Sequence, residues 1–330
     1  MKNIISLLFF LAFFQSYSQD VIFSQNFLVP ETLNSSFTGA IRSTKVGSVF
    51  KSQWRNSSLK TSSNFAFVDT WLEGYKTGIG ISFLNQKESG SGYTFNQVSF
   101  NFAMAFEIGN SWFFRPSISS GFGMKSYGFQ NLLLEDQINL NSNTTNTSSI
   151  DPILLNSQKS FFDFSSSVIF NNKDSWFGLT LRHLNKPNIS LTEGGNIPLD
   201  IFMSIHAKYN LPVFQNYGTW FGSKSKIYVL ANYMNQRTYG RLDLGLQYVF
   251  DDKFSLGMTM FTVPDKSINS LTSFLSTFIG LRAKGYRFGY SYDMNTSKSI
   301  SLGGVHEFSI SYDFDINIRA LNRYKCISFF

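Results

Sequence analysis

The 330-residue chain predicts an all-β fold, a transmembrane outer-membrane β-barrel of about fourteen antiparallel strands. Three observations carry that expectation. The first is the stretch 286–314, which runs YRFGYSYD, a polar loop, then HEFSISYDF. Tyr286, Phe288, Tyr290 and Tyr292 alternate with Arg287, Gly289, Ser291 and Asp293; Phe308, Ile310, Tyr312 and Phe314 alternate with Glu307, Ser309, Ser311 and Asp313. A period of two places successive side chains on opposite faces of a strand. One face is apolar and aromatic, the other polar and charged. In a soluble sandwich the apolar face would pack on a core; in a barrel it meets lipid and the polar face lines the lumen. The second observation decides between them. The chain is 17% aromatic and only 15% charged, its mean hydropathy is -0.07, and beyond residue 18 no apolar run is long enough for a membrane helix. Alternating strands hide their hydrophobic half in just such an average. The third is the alternation of short and long connections between the strands.

The elements follow in order. Met1 to Asn3 form a short positive region, Ile4 to Phe14 an apolar run of signal-peptide length, and Ser16 and Ser18 are small residues suited to cleavage after Ser18. Residues 1–18 are therefore expected to be a signal peptide, with no lipoprotein cysteine. Residues 19–43 form a polar-aromatic lead-in without a clean period of two, expected to be a periplasmic or plug segment. The barrel is expected over 44–314, with strands at 44–54, 62–72, 77–85, 94–107, 112–125, 160–171, 175–185, 199–210, 225–235, 239–250, 254–262, 272–283, 286–294 and 303–314. Val98, Phe100, Phe102, Met104 and Phe106 alternate with smaller or polar neighbours, and Leu242, Leu244, Leu246, Tyr248 and Phe250 with Arg241, Asp243, Gly245 and Gln247.

If the first strand leaves the periplasm, the turns 73–76, 108–111, 172–174, 251–253 and 284–285 are periplasmic and short. The connections 86–93, 126–159, 186–198, 263–271 and 295–302 are long and external, as barrels require. Two connections break the pattern, 211–224 by its length and 236–238 by its shortness, and leave room for a misplaced strand nearby. The segment 126–159 holds the low-complexity tract LNSNTTNTSS and reads as a mobile surface loop. Residues 315–330 form a basic tail with the single cysteine, Cys326.

Chemistry is sparse. One cysteine excludes an intramolecular disulfide and any site built on several cysteines. The histidines, His183, His206 and His306, belong to no metal-ligand spacing. There is no nucleophile elbow, phosphate loop or paired-cysteine motif, so neither an enzyme nor a cofactor is expected. GIGIS at Gly78 and GFGMK at Gly121 lie within strands, where an inward glycine relieves crowding or marks a bend. A formal net charge of +7 is modest and comes without a basic run, so no nucleic-acid partner is expected. Arg182, Arg241, Asp243, Arg287, Asp293 and Glu307 project to the polar face. Such lumen charges form a network or gate solutes, the network being favoured because buried charges need partners. Phe23, Phe27 and Phe37 lie outside any strand and need a partner or a place to pack.

Several segments resemble the PorP/SprF family of type IX secretion system outer-membrane proteins. QDVIFSQNF followed by LNSSFTG is similar to the family's opening Q-D-P-x-F-S-Q-Y and N-P-A-x-x-G, with Val21 for the usual Pro and Ser35 and Ser36 for Pro-Ala. Gln53, Trp54 and Arg55 resemble its Q-W motif, WFGLTLRHLNKPN from Trp176 its G-L-S-x-x-H-L-x-x-P segment, and GYSYD and GGVHEFSISYDF its closing motifs. The resemblance covers nearly the whole mature chain. It implies a non-enzymatic, integral outer-membrane protein in contact with lipid. It also implies work with type IX translocon components to export or attach a secreted partner, such as an adhesin with a C-terminal sorting domain, in some members tied to gliding motility. The stretch expected to meet partners comprises Phe23, Phe27, Phe37, Gln53 and Trp54. The alternative on a barrel of this size is a channel for small solutes or lipids.

Overall fold

A computed structural model describes residues 20–54, 60–109, 111–128, 137–139, 144–146, 158–192, 194–212, 225–265, 270–296 and 303–314. The expected signal peptide, the tail with Cys326 and most of 126–159 lie outside these residues. Fourteen wall strands run in chain order: β1 Lys45–Gln53, β2 Thr61–Leu72, β3 Thr77–Glu88, β4 Thr94–Met104 with its continuation Phe106–Ile108, β5 Trp112–Ser126, β6 Gln158–Asn171 and β7 Trp176–Arg182. They continue with β8 Phe202–Leu211, β9 Lys226–Gln236, β10 Tyr239–Phe250, β11 Phe254–Asp265, β12 Ser270–Ala283, β13 Tyr286–Asn295 and β14 Val305–Asp313. Each pairs antiparallel with its chain neighbours, and β14 pairs back onto β1 from Lys45↔Asp313 to Ser52↔His306. The sheet closes, which removes the unpaired edges an open sheet would expose.

The period of two sets the faces. Val68, Phe100, Phe122, Leu244, Phe308 and Ile310 are exposed on the outside, whereas Glu307, Ser309, Arg241, Asp243 and Asp293 are buried inside. On the outside of β4 to β7, Phe106, Phe114, Phe170 and Phe177 stand opposite one another strand by strand near the short-turn end, as an interfacial aromatic girdle does. The ladder of β4 lapses between Met104 and Phe106, although the register with β5 continues from Ala103↔Ser117 to Phe106↔Phe114. The position opposite Met104 is Pro116, which has no N–H to give. Ala105 bonds instead to the Lys76 carbonyl at 3.1 Å.

Two expected boundaries move. The strands at 175–185 and 199–210 stop at Arg182 and resume at Phe202. His183 takes a left-handed conformation at φ 61°, which turns the chain off the sheet, and Ile189 and Leu199 fold down onto Phe161. The short connection after β9 is a two-residue hairpin with Arg237 at φ 55°, so the irregular spacing there is a real turn between two real strands. Residues 213–224 of the long connection lie outside the described residues.

Residues 20–44 do not extend the wall; they occupy its bore. The segment enters at the long-connection end and threads through a succession of turns, including two 3-10 turns at Pro30–Thr32 and Ser35–Phe37. Pro30 opens the first, where its missing N–H costs nothing, and Asn34 caps the second by accepting from Ser36 N at 2.7 Å. It reaches the short-turn end at Thr44, where β1 begins.

Candidate functional site: the plugged lumen

The plug is held in two ways, by apolar packing and by wall charges that bind its backbone. Phe23, Phe27, Leu28, Val29 and Phe37 pack with the inward Phe65 and Phe67 of β2, Trp176 of β7, Tyr228 and Leu230 of β9, Val249 of β10 and Phe278 of β12 in one buried cluster. Phe27 stacks on Trp176 with ring centroids 6.1 Å apart, and Phe37 meets the same indole edge-on at 5.1 Å. Burying each such side chain contributes about 1.5–3 kcal/mol. Phe23, Phe27 and Phe37 are thus rings of an internal core. Docking on an outside partner, one of the two roles the sequence suggested for them, would first require the plug to leave. Gln53 and Trp54, by contrast, are only half-buried and end β1 at the long-connection rim, with Trp54 at φ 53°.

The backbone contacts are mostly ionic on the wall side. Glu307 of β14 is fully buried and accepts from Ser24 N at 2.8 Å and from Gln25 N at 3.0 Å. Its carboxylate also meets Lys51 of β1 at 3.3 Å, and Lys51 donates to the Ile22 carbonyl. Ser24 Oγ donates to Asp293 of β13 at 2.5 Å. Lower down, Arg115 of β5 donates to the carbonyls of Ser36 and Thr38 at 3.1 and 3.0 Å, Asp69 of β2 accepts from Gly39 N at 2.8 Å, and Lys45 pairs with Glu31 at 2.6 Å. A turn-rich segment leaves N–H and C=O groups unmade, and in a dry bore each would be costly. The wall carboxylates and guanidinium groups satisfy them. Two glycines allow the closest approach: Gly39, at φ 66°, lies against Gly78 of β3, and a Cβ on Gly78 would collide with the Thr38 carbonyl.

The free end of the plug is clasped at the long-connection end. His183 Nε2 lies 2.8 Å from Asp20 and its Nδ1 2.9 Å from Asp163 of β6. Ionised carboxylates only accept, so both ring nitrogens carry protons and the ring is a cation. Burial works against that charge, but Asp20 and Asp163 outweigh it and lift the group to about 10. Burial likewise opposes the charge on Asp20, yet His183 and Arg182 hold it well below the usual carboxylate range. His206 of β8 is the opposite case. The Asn34 amide donates to its Nε2 at 3.0 Å, so that nitrogen accepts, and Nδ1 is left to donate to Ser204 Oγ at 3.0 Å.

The six lumen charges singled out in the sequence all face the bore but fall into separate groups. Arg241 pairs with Asp243 at 2.6 Å and covers the Phe261 ring at 3.7 Å. Arg287 pairs with Asp313. Asp293 and Glu307 meet through Ser24, and Arg182 donates to the Thr32 carbonyl at 2.6 Å while pairing with Asp20 at 3.4 Å. Sequence reasoning missed Asp20, Lys45, Lys51, Asp69, Arg115 and Asp163. The wall members stand at inward positions of the same period-two pattern, which is the signal that would have found them.

A polar cavity of about 110 Å³ remains between the plug and the inward faces of β3 to β7. No group of His, Cys, Asp and Glu suited to a metal occurs among the described residues.

Comparison with known proteins completes the picture. The model of the type IX secretion system membrane protein PorP/SprF family matches residues 15–312. No curated protein matches the chain. Among solved structures, the toluene transporter TodX of P. putida is 7% identical and aligns over 86% of this chain and 92% of its own, with a TM-score of 0.49. The CymD monoaromatic hydrocarbon channel is 11% identical over 89% of this chain and 93% of its own at 0.48, and the KdgM porin 7% identical over 82% and 99% at 0.34.

Proposed function

The chain belongs to the PorP/SprF family of type IX secretion system membrane proteins, and from that premise we propose that it is a non-enzymatic outer-membrane component that supports export or surface attachment of a particular secreted partner. An adhesin carrying a C-terminal sorting domain suits this role, with gliding motility as one process it would serve. The observation that carries the reading is the occupied bore. A solute channel needs a continuous aqueous path, whereas residues 20–44 cross the whole lumen and are bound to the wall by buried ion pairs and an aromatic core. A barrel so filled offers its rims, not its bore, to other proteins. Translocon components would meet the short-turn rim, and the partner the long-connection rim, where Gln53 and Trp54 lie.

The test is deletion of the gene and comparison of the surface proteome. Loss of one or a few surface proteins, restored by the intact gene, is the expected result. An unchanged surface proteome together with reduced uptake of small solutes would overturn the reading in favour of a channel.

A further inference from the structure

The cavity beside the plug is built by the sequence. On neighbouring inward positions β3 to β6 carry Ser82, Ser99, Gly121 and Asp163, and one layer away Asn101, Ser119 and Ser165. These side chains are too short to meet the plug. The space they leave open to the centre of a water molecule is about 110 Å³; the atoms of a ligand extend beyond it by their own radii, so a single six-membered sugar ring can be held there.

Its lining mixes three chemistries. Amide and hydroxyl groups come from Gln86, Gln97, Ser99 and Asn101. Aromatic faces come from Phe95 and Phe161, stacked with an interplanar angle of 12°. The third is charge, and here the balance is uneven. Asp163 is engaged by His183 and by Gln97 at 3.0 Å, Arg182 by Asp20 and two plug carbonyls, and Glu31, the other carboxylate of the lining, by Lys45 at 2.6 Å. Lys125 of β5 is different. It is only 8% exposed, it lines the cavity, and among the described residues no carboxylate or carbonyl reaches its ammonium. A buried cation without a counter-charge is costly, so the site is complete only with an anionic group at that end.

We propose that this cavity is a binding site for a small acidic saccharide, with the sugar carboxylate on Lys125, the hydroxyls on the Gln86, Gln97 and Ser99 side chains, and a ring face on Phe95. The site reaches the long-connection end, where Tyr93, Ile189 and Leu199 contribute to its lining. Ring hydroxyls suit the amide and hydroxyl lining better than a peptide would, since a peptide of this volume offers few such groups.

The experiment uses the full-length protein purified from outer membrane in detergent, titrated calorimetrically with galacturonate and glucuronate, the neutral parents galactose and glucose, acetate, and a short acidic peptide. The uronates are expected to bind at least tenfold more tightly than the neutral sugars and than acetate. Lys125→Met should lower uronate affinity at least tenfold. Ser99→Val, which fills the cavity from its side, should abolish sugar binding and spare the weak acetate interaction. Retained heat-modifiable migration shows that each variant is folded. Failure of the uronates to bind, equal binding of acid and neutral sugar, or no effect of Lys125→Met would overturn the proposal. Acetate as tight as uronate would make this a simple anion site, and tighter binding of the acidic peptide a protein-docking site; either result also overturns it.

Discussion

The two sides of the lumen have the same backbone pattern and opposite contents. On β2, β7, β9 and β12 the inward positions carry Phe65, Phe67, Trp176, Tyr228, Leu230 and Phe278, and the plug packs solidly against them. On β3 to β6 the inward Ser82, Ser99, Gly121 and Ser119 are small and a cavity remains beside them, whereas nearer the short turns Arg115 and Ser117 of the same strands hold the plug. Alternation decides which way a side chain points. The size of the inward residue decides whether the bore is filled there. A barrel thus packs an internal segment closely at some inward positions and keeps space at others, with no change in strand geometry.

The contrast can be broken most severely at Glu307. Glu307→Gln leaves Lys51 without its counter-charge and weakens two bonds to the plug backbone; losing one partner of a buried pair costs about 3–5 kcal/mol. Hydrogen exchange of residues 20–44 by mass spectrometry should show the plug loosened while the wall stays protected. Equal protection in variant and parent would mean that packing alone holds the plug. Next come the aromatics. Phe27→Ala should cost about 3–5 kcal/mol, the range for a buried Phe truncation, and Phe95→Ala, beside a space already open, clearly less. Chemical denaturation of the two variants gives the comparison, and equal losses would erase the distinction between the two sides. Third are the glycines. Gly78→Ala meets the Thr38 carbonyl and should cost about 1–3 kcal/mol of overpacking strain, whereas at Gly121 the added methyl crowds the side-chain ends of Gln97 and Ser99, which can shift, and meets the Val98 carbonyl at an ordinary 3.4 Å.

The last contrast concerns the effect of pH on the clasp. Because His183 is raised from 6.5 to about 10, the stabilisation it gives is complete below pH 6.5 and is lost as pH rises through about 10. The depressed Asp20 works in the other direction, giving stabilisation that is present above pH 3.8 and lost on acidification. Protection factors of the first plug residues should therefore be highest below about pH 6.5, decline as pH rises and level off above about pH 10, and His183→Gln should remove that decline. A fall of the same size in that variant would place the titration elsewhere.

Much of this was legible in the sequence, for reasons that also set its limits. The Tyr286–Asp293 and Glu307–Phe314 alternations identify strands and assign their faces because the pleat permits no other arrangement. Fourteen strands and their short turns follow from the same rule. What the period does not reveal is who meets whom across the bore. Ser24 finds Glu307 283 residues away, and nothing local to either announces it. The rings of Phe23, Phe27 and Phe37 were visible as residues in need of burial, but their partners, Phe65, Trp176 and Tyr228, read as ordinary strand aromatics. His183 sat in an apparent strand because its left-handed turn leaves no mark beyond the nearby Pro187. Lys51, Asp69 and Arg115 were passed over although their inward parity was plain, since one charge in a strand looks like any other until a backbone needs it.

The strands that close the ring are the ones that hold the start of the plug. Lys51 on β1 and Glu307 on β14 are opposite each other across that seam, and together they grip Ile22, Ser24 and Gln25. A slip of two residues would keep every side chain on its proper face, so lipid could not detect the error. It would, however, carry Glu307 away from Lys51 and deprive the threaded segment of both. The internal segment therefore serves as a gauge of correct joining, and closure of the wall and filling of its bore become a single cooperative event.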